Sequence, residues 1–339
     1  MEMKEISVSV IVPVYMEELH LEGCIHSLLQ QRYPRGQMEW IFVDGGSSDK
    51  TLEILQGYQK KYPRLIHYYD NPKRIQACAM NIGIQNASGN YIIRMDAHAV
   101  YPADYITKCV WYLEHTDADN VGGIVLTKGC SGTGKNIAKM LSSRFGVGNS
   151  GFRTFAKGGY VDTVPYGAFR KEVFEKWGGF DERLARGEDN EINYRIRKNG
   201  GKVLLADDIV STYYCRDTVN ALCSMAFQNG KWNVITSKYV PGAMGIRHFV
   251  PLVFLLSLIG LGAGSICSKK VRFLFIGELS TYFVLDTCFS FRARGKLPDK
   301  LQLMCLHFLF HVSYGAGSLA GIAGQFQTER RTDGDTLRK

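Results

Sequence analysis

Between His248 and Ser268 the chain runs for 21 residues without one Asp, Glu, Lys or Arg. An apolar helix of about 20 residues crosses a hydrocarbon layer of about 30 Å, so this run points the C-terminal part of the chain at a bilayer. Two further apolar segments follow, Phe273–Phe291 and Leu301–Gly324. The first carries Glu278, Tyr282 and Asp286 four residues apart, and the second carries His307, His311, Tyr314, Ser318 and, just past its end, Gln325 at helical spacing. Each set falls on one helix face. Such stripes read first as helix–helix contacts and second as a proton or substrate path. Basic residues flank the segments: Lys269, Lys270 and Arg272 before the second, and Arg292, Arg294, Lys296 and Lys300 before the third. Three complete crossings would carry alternate basic flanks through the membrane, against the bias of Lys and Arg toward the cytosolic side. At least one segment is therefore expected to lie in the interface or to re-enter. Of the net charge of +9, +5 lies beyond Ser268, beside these apolar runs. The charge is thus aimed at a membrane surface, and no nucleic-acid partner is expected.

Up to about residue 235 the pattern is different. Strand-like runs at Ser7–Val14, Glu39–Asp44, Leu65–Tyr69 and Tyr91–Met95 alternate with amphipathic runs at Leu19–Gln31, Asp49–Tyr62 and Ile75–Gln85. That alternation predicts an α/β unit whose largely parallel sheet has helices on both faces. Helical pattern returns at Arg170–Trp177 and Asp189–Asn199, with a strand at Lys202–Ala206. The glycine-rich stretch Thr127–Gly167 reads as a loop-rich, mobile segment. The division expected is residues 1–235 as a catalytic domain and 236–339 as a membrane-associated helical region. Nine cysteines, an odd number with no pair at zinc-ligand spacing, argue against a disulfide framework and a structural zinc, and fit a reducing compartment. Met1–Ser9 is charged and lacks the apolar core of a signal peptide, so the N-terminal unit is expected to stay on the cytosolic side.

Two glycine motifs are decoys. Gly146–Gly151 matches G-x-G-x-x-G, but it follows Ser142–Phe145 rather than a strand. Gly129–Lys135 nearly matches a P-loop, but Asn136 stands where a hydroxyl should hold Mg²⁺. The acidic positions carry more. Asp44 ends the second strand, on the side where open α/β sheets bind ligands. Asp96 and His98 are two apart, so on an extended segment they point the same way. A carboxylate and an imidazole there can share Mn²⁺ or Mg²⁺, which would neutralise a diphosphate. Glu188 and Asp189 open a helix, where acids also favour the dipole; the functional reading makes Asp189 a general base. Gln228, Lys231 and Trp232 offer an amide, a cation and an indole in what reads alone as a polar turn.

These elements occur in one order in one chain. Val10–Tyr15, Asp44–Thr51, Asn81–Gly83, Ala87–Ile92, Asp96-Ala-His98, Gly179–Asp181, Glu188-Asp189 and Gln228-x-x-Lys-Trp232 together resemble the family 2 glycosyltransferases, over about residues 6–235. Arg94–Ala99, Val161–Pro165, Asn193–Arg195 and a basic, apolar C-terminal region make the chain similar to the succinoglycan-type glucosyltransferases in that family. The resemblance implies a GT-A fold, that of nucleotide-diphospho-sugar transferases: a mixed, mostly parallel sheet with helices on both faces, followed here by apolar membrane-associated helices. It implies that Pro13, Tyr15 and Glu17 line a nucleotide pocket, that Asp44 meets the uracil, and that Asp96 meets the ribose or the metal. His98 stands where many members have a second Asp, which lowers the negative charge at the metal by one. Asp189 matches the catalytic base. Arg74 and Lys231 would stabilise the leaving diphosphate, and Lys231 lacks the planar fork of the family's Arg. Glu188, Gln228 and Trp232 would lie on the acceptor side. The implied activity is inverting transfer from a UDP-sugar, UDP-glucose by family, to a polyprenyl-diphosphate-linked saccharide in exopolysaccharide or capsule assembly. A divalent metal would be the cofactor, and membrane lipids would be partners. The implied setting is a bacterial inner membrane with the catalytic domain facing the cytosol. The alternative is an inactive membrane-bound scaffold of the same fold.

Overall fold

The computed structural model describes residues 7–336, with side chains through Gly324. The first six residues of the charged N-terminal stretch lie outside it. The chain forms two compact units. One comprises the chain up to Leu126 together with Gly151–Tyr214; the other comprises Thr127–Ser150 and everything from Cys215 onward.

The first unit opens with β1 (Val8–Val14), α1 (Leu21–Leu29), β2 (Met38–Asp44), α2 (Thr51–Lys61), β3 (Ile66–Asp70), α3 (Gln76–Gln85) and β4 (Tyr91–Arg94). β5 (Ala99–Val100), α4 (Tyr105–His115) and β6 (Asn120–Lys128) follow. After the excursion into the second unit, β7 (Gly159–Tyr160), β8 (Ala168–Arg170), α7 (Glu172–Trp177), α8 (Glu188–Lys198) and β9 (Val203–Tyr214) complete the sheet. Its order is β3-β2-β1-β4-β8-β6-β9-β5, with β7 on β9. The β3-β2-β1-β4 half is parallel, and β8 runs antiparallel to β4. The mixed sheet has both faces covered, as the alternating pattern predicts. Val8, Val10 and Val12 of β1 share one core with Leu21, Ile25 and Leu28 of α1 and Ile106 and Leu113 of α4. Ile11 faces the other way, into a core with Ile41, Met80 of α3, and Ile192 and Ile196 of α8. Strands buried on both sides read as continuous apolar runs, which is what β1 and β2 show. Gly83 of α3 lets that helix lie against β1; a Cβ there would come within 2.5 Å of Ile11.

The second unit begins with α5 (Gly132–Leu141) and the short α6 (Arg144–Val147), and continues with α9 (Val219–Tyr239), a 3₁₀ turn at Ile246–Phe249, α10 (Val250–Cys267), α11 (Lys269–Arg292) and α12 (Leu297–Thr336). Two expectations are corrected here. The glycine-rich stretch contains a capped helix: Ser131 accepts the Gly134 amide at 2.9 Å, and Ile137, Met140 and Leu141 of α5 are buried. Some of its glycines serve close approach: a Cβ on Gly129 would stand 1.9 Å from the Gly134 backbone. Gln228–Trp232 is likewise no turn but the middle of the 21-residue α9.

α10, α11 and α12 are each long and apolar enough to cross a membrane (Ile246–Cys267 with the leading turn, Lys269–Arg292, Leu297–Gly324). α10 and α11 pair antiparallel across the single residue Ser268: Gly264 meets Val271, Gly262 meets Phe275, Ser257 bonds Glu278, and Phe254 stacks on Tyr282. The polar stripes on α11 and α12 face each other. Asp286 pairs with His307 at 2.7 Å, and Tyr282 bonds His311 at 2.9 Å.

Candidate active site

The C-terminal ends of β1, β2 and β4 lie side by side, and the loops that leave them form the crevice in which open α/β sheets bind ligands. The loop after β1 bends at Met16, whose φ is +57°. The segment after β2 holds that bend: Ser47 Oγ accepts the Met16 amide, Thr51 Oγ1 the Glu17 amide and Asp49 the Glu18 amide. The Asp44–Thr51 motif is thus a clamp on the neighbouring loop. Asp44 itself is buried, and its carboxylate accepts from the Gly46 and Ser47 amides and the Ser47 hydroxyl. Tyr15 stays exposed, with the Arg74 guanidinium 5.8 Å from its ring centre. Pro13 pairs with Val43 inside the parallel ladder. Glu17 reaches His98, Oε1 to Nδ1 at 3.1 Å.

β4 delivers Asp96. On the same strand Arg94 is buried, and its guanidinium donates to Asp96 at 3.3 Å, to Glu188 at 3.3 Å and to Asp189 at 2.6 Å. Asp189 lies in the first turn of α8, which Gly187 enters with φ +82°. Other family-motif residues hold α8 in place. Asn193 bonds Thr163 and Asn120, Arg195 bonds the carbonyls of Trp177 to Gly179, and Asn81 brackets Phe180 through both its amide atoms. Asp189 is half-buried. Desolvation, with Glu188 and Asp96 nearby, pushes its carboxyl up from 3.8 to about 7, although Arg94 pulls the other way. A base poised near neutrality suits proton abstraction.

The sequence-predicted residues therefore meet as Tyr15 with Arg74, Glu17 with His98, and Asp96 with Glu188 and Asp189 around Arg94. Gln228, Lys231 and Trp232 stand half-buried on α9 of the second unit. Arg94 is the residue that sequence reasoning left without a role. Its signal was an arginine on the same strand face as Ile92, in a strand otherwise apolar and followed by Asp96.

The glycosyl transferase family 2 model matches residues 9–178, the segment that carries β1 through α7. The succinoglycan biosynthesis protein ExoA of Rhizobium meliloti (strain 1021) is 33% identical over 74% of this chain and 76% of its own length. The chain is a family 2 glycosyltransferase. A second relative, the dolichyl N-acetyl-alpha-D-glucosaminyl phosphate 3-beta-D-2,3-diacetamido-2,3-dideoxy-beta-D-glucuronosyltransferase of Methanococcus voltae, is 30% identical over 91% of the chain and 95% of its own length. The glycosyltransferase also shares its fold with the mannosyltransferase PcManGT of Pyrobaculum calidifontis, solved with GDP-Man and Mn²⁺. That likeness has a TM-score of 0.61 at 19% identity, over 91% of this chain and 86% of the other. The fold is GT-A, as the resemblance implies.

Among the described residues no three His, Cys, Asp or Glu side chains converge to hold a metal. Asp96 and His98 supply at most two donors. That fits Mg²⁺ or Mn²⁺ of the kind that takes one or two protein ligands and completes its shell with water and substrate phosphates. Arg94 touches only Oδ1 of Asp96, and among the described residues no donor meets Oδ2.

Proposed function

We propose that this family 2 glycosyltransferase moves a sugar, glucose in the first instance, from its UDP carrier to a hydroxyl of a lipid-linked saccharide during exopolysaccharide or capsule assembly. The observation that carries the reading is the single guanidinium of Arg94 between Asp96 on the strand end and Asp189 on α8. It brings a donor-side carboxylate and a candidate base to one place. Tyr15, Arg74, Pro13, Glu17 and Asp44 form the nucleotide side. Asp189 takes the proton of the acceptor hydroxyl as its oxygen bonds the anomeric carbon, and the bond from that carbon to the diphosphate oxygen breaks on the opposite face. One displacement inverts the anomeric configuration. Glu188, the carboxylate next in sequence, is buried and bonded to Arg94, which speaks against a covalent intermediate on it. Asp96 and His98 would hold the divalent metal, which supplies Lewis-acid charge to the diphosphate when bound. Arg74 adds positive charge for the leaving group and Glu188 serves the acceptor side, while Lys231, Gln228 and Trp232 keep the leaving-group and acceptor roles that the resemblance implies.

Residues 1–235 are read as the catalytic domain and 236–339 as its membrane anchor. The exposed apolar faces of α10 and α11 (Val253, Ile259, Phe273, Val284) support that reading. A lipid-borne acceptor lives in the bilayer, so an anchored enzyme meets it at the surface, here the cytosolic face of a bacterial inner membrane. Basic residues at the helix ends favour anionic lipid by about 1 kcal/mol each near the surface. One relative is named for succinoglycan biosynthesis, and the other is named for transfer to a dolichyl-phosphate-linked sugar, an acceptor of this kind.

The test incubates the full-length membrane protein with labelled UDP-sugars, Mn²⁺ or EDTA and a bacterial lipid extract, beside Asp189→Asn. Label from one UDP-sugar entering the lipid phase, lost in the mutant and reduced by EDTA, is the expected result. UDP release that needs Asp189 without lipid label would overturn the acceptor. No turnover and no UDP binding would overturn the activity and leave the scaffold.

A further inference from the structure

Arg94 occupies a position that the core would fill more simply with an aliphatic residue. It follows Ile92 and Ile93 in β4, it is 4% exposed, and its neighbours on the sheet are apolar. Burying a guanidinium is costly unless its hydrogen bonds are met, and an apolar replacement of similar size is often as stable. What an apolar side chain cannot do is reach four groups in fixed directions. The Nε donates to Oδ1 of Asp96 and Nη1 to Oδ1 of Asp189 and Oε1 of Glu188. The Gln76 amide, with its oxygen toward Arg94, accepts from Nη2 at 2.5 Å and donates to Glu188 at 3.2 Å. The planar fork therefore ties the strand end, the first turn of α8 and the start of α3 to one rigid group.

From this geometry, and on the reading of Asp189 as base, we infer that Arg94 is a positioning residue that sets the orientation of the base carboxylate relative to the donor-side Asp96. Arg94 holds Oδ1 of both carboxylates. Among the described residues neither Oδ2 meets a donor, which leaves each available for its proposed task, a metal or an acceptor proton. The contact to Asp189 at 2.6 Å is much shorter than that to Asp96 at 3.3 Å, so the base is the more tightly held of the two. Reaction rates depend steeply on such orientation. Lysine at this position keeps the charge but is a point donor on a flexible stem and cannot span both carboxylates.

The test is a kinetic cycle on the full-length protein with Arg94→Lys, Asp189→Asn and the double variant, reading kcat and the UDP-sugar KM. Arg94→Lys is expected to lower kcat by about 10- to 100-fold while the donor KM moves by less than about threefold. In the Asp189→Asn background it is expected to add less than about threefold, because groups that act as one unit are not additive. Equal losses in both backgrounds, or a loss confined to KM, would reduce Arg94 to charge neutralisation and overturn the inference. Full kcat in Arg94→Lys beside an inactive Asp189→Asn would overturn it and leave the base reading intact. Near-normal turnover in Asp189→Asn would overturn the base reading and the inference with it. If Arg94→Lys fails to fold, Gln76→Met takes its place, since it loosens the fork without touching either carboxylate. A fall in kcat of about 3- to 10-fold, absent in the Asp189→Asn background, supports the inference. No fall, or the same fall in both backgrounds, overturns it.

Discussion

A Cβ on Gly230 of α9 would stand 2.0 Å from the carbonyl oxygen of Tyr314 on α12. The two helices meet backbone to backbone, and the contact is reciprocal: a Cβ on Gly317 would stand 1.9 Å from the Phe227 carbonyl. The Gln228–Trp232 run is therefore mounted directly on the third apolar helix. Gly230→Ala is expected to destabilise the second unit by about 1–3 kcal/mol, the usual size of overpacking, despite a gain in helix propensity of about 1 kcal/mol. Thermal melts in detergent check this. An unchanged or raised Tm would mean that the helices separate easily.

On the proposed reading of Asp189 as base, the pH dependence of the reaction follows from its carboxyl. Burial raises its carboxyl from 3.8 to about 7, so the ionised base is scarce below neutrality. Turnover is expected to rise with pH through about 7 and then level off. A profile already flat at pH 5.5 would contradict this. The same shift has a consequence for stability. An acid whose folded pKa exceeds its unfolded value binds its proton more tightly when folded. Its contribution is complete below about pH 4 and is lost as pH rises through about 7. The Tm of Asp189→Asn minus that of the wild type should therefore grow across this window, measured in matched buffers.

Asp286 and His307 are both fully buried between α11 and α12, paired through Nδ1 at 2.7 Å, and the Ser143 hydroxyl meets the other ring nitrogen, Nε2, at 3.1 Å. Among the described residues, removing one partner leaves the other buried with only serine hydroxyls beside it, Ser290 for Asp286 and Ser143 for His307. Asp286→Leu or His307→Leu alone is expected to cost about 3–5 kcal/mol, and the double variant much less than the sum. Detergent-phase melts of the cycle test this, and simple additivity would deny the coupling.

The P-loop-like segment makes a negative prediction. Its backbone amides at Cys130 and Ser131 are already taken by the Asp217 carboxylate. Lys135→Ala should leave nucleotide binding unchanged, and the wild type should show no ATP binding by calorimetry. Asp217→Ala should loosen the cap of α5 at a cost of about 1 kcal/mol.

Much of this was legible in the residues. The β1 and β2 runs, Asp44 at a strand end and the three apolar helices are local patterns; Asp96 and His98 instead lie in a turn closed by the Ala99 amide on the Asp96 carbonyl, not on the extended segment expected. Local patterns are set by side-chain period and polarity, which a single sequence displays. The roles of the family motifs were less visible. Asp44 bonds its own turn, and Asn81, Asn193 and Arg195 are braces between distant segments. A brace is defined by its partner, and partners far apart in sequence leave no periodic trace.

By itself the sequence determined the α/β alternation, the apolar C-terminal run and the order of the acidic motifs, because each depends on neighbours within a turn or a strand. The tertiary structure decided that the glycine-rich stretch is a capped helix, that Gln228–Trp232 lies in mid-helix against α12, and that Arg94 joins Asp96 to Asp189. In the last two cases contacts across many tens of residues override local propensity: α9 packs backbone to backbone on α12, and a strand arginine finds three carboxylates only when α8 folds onto β4.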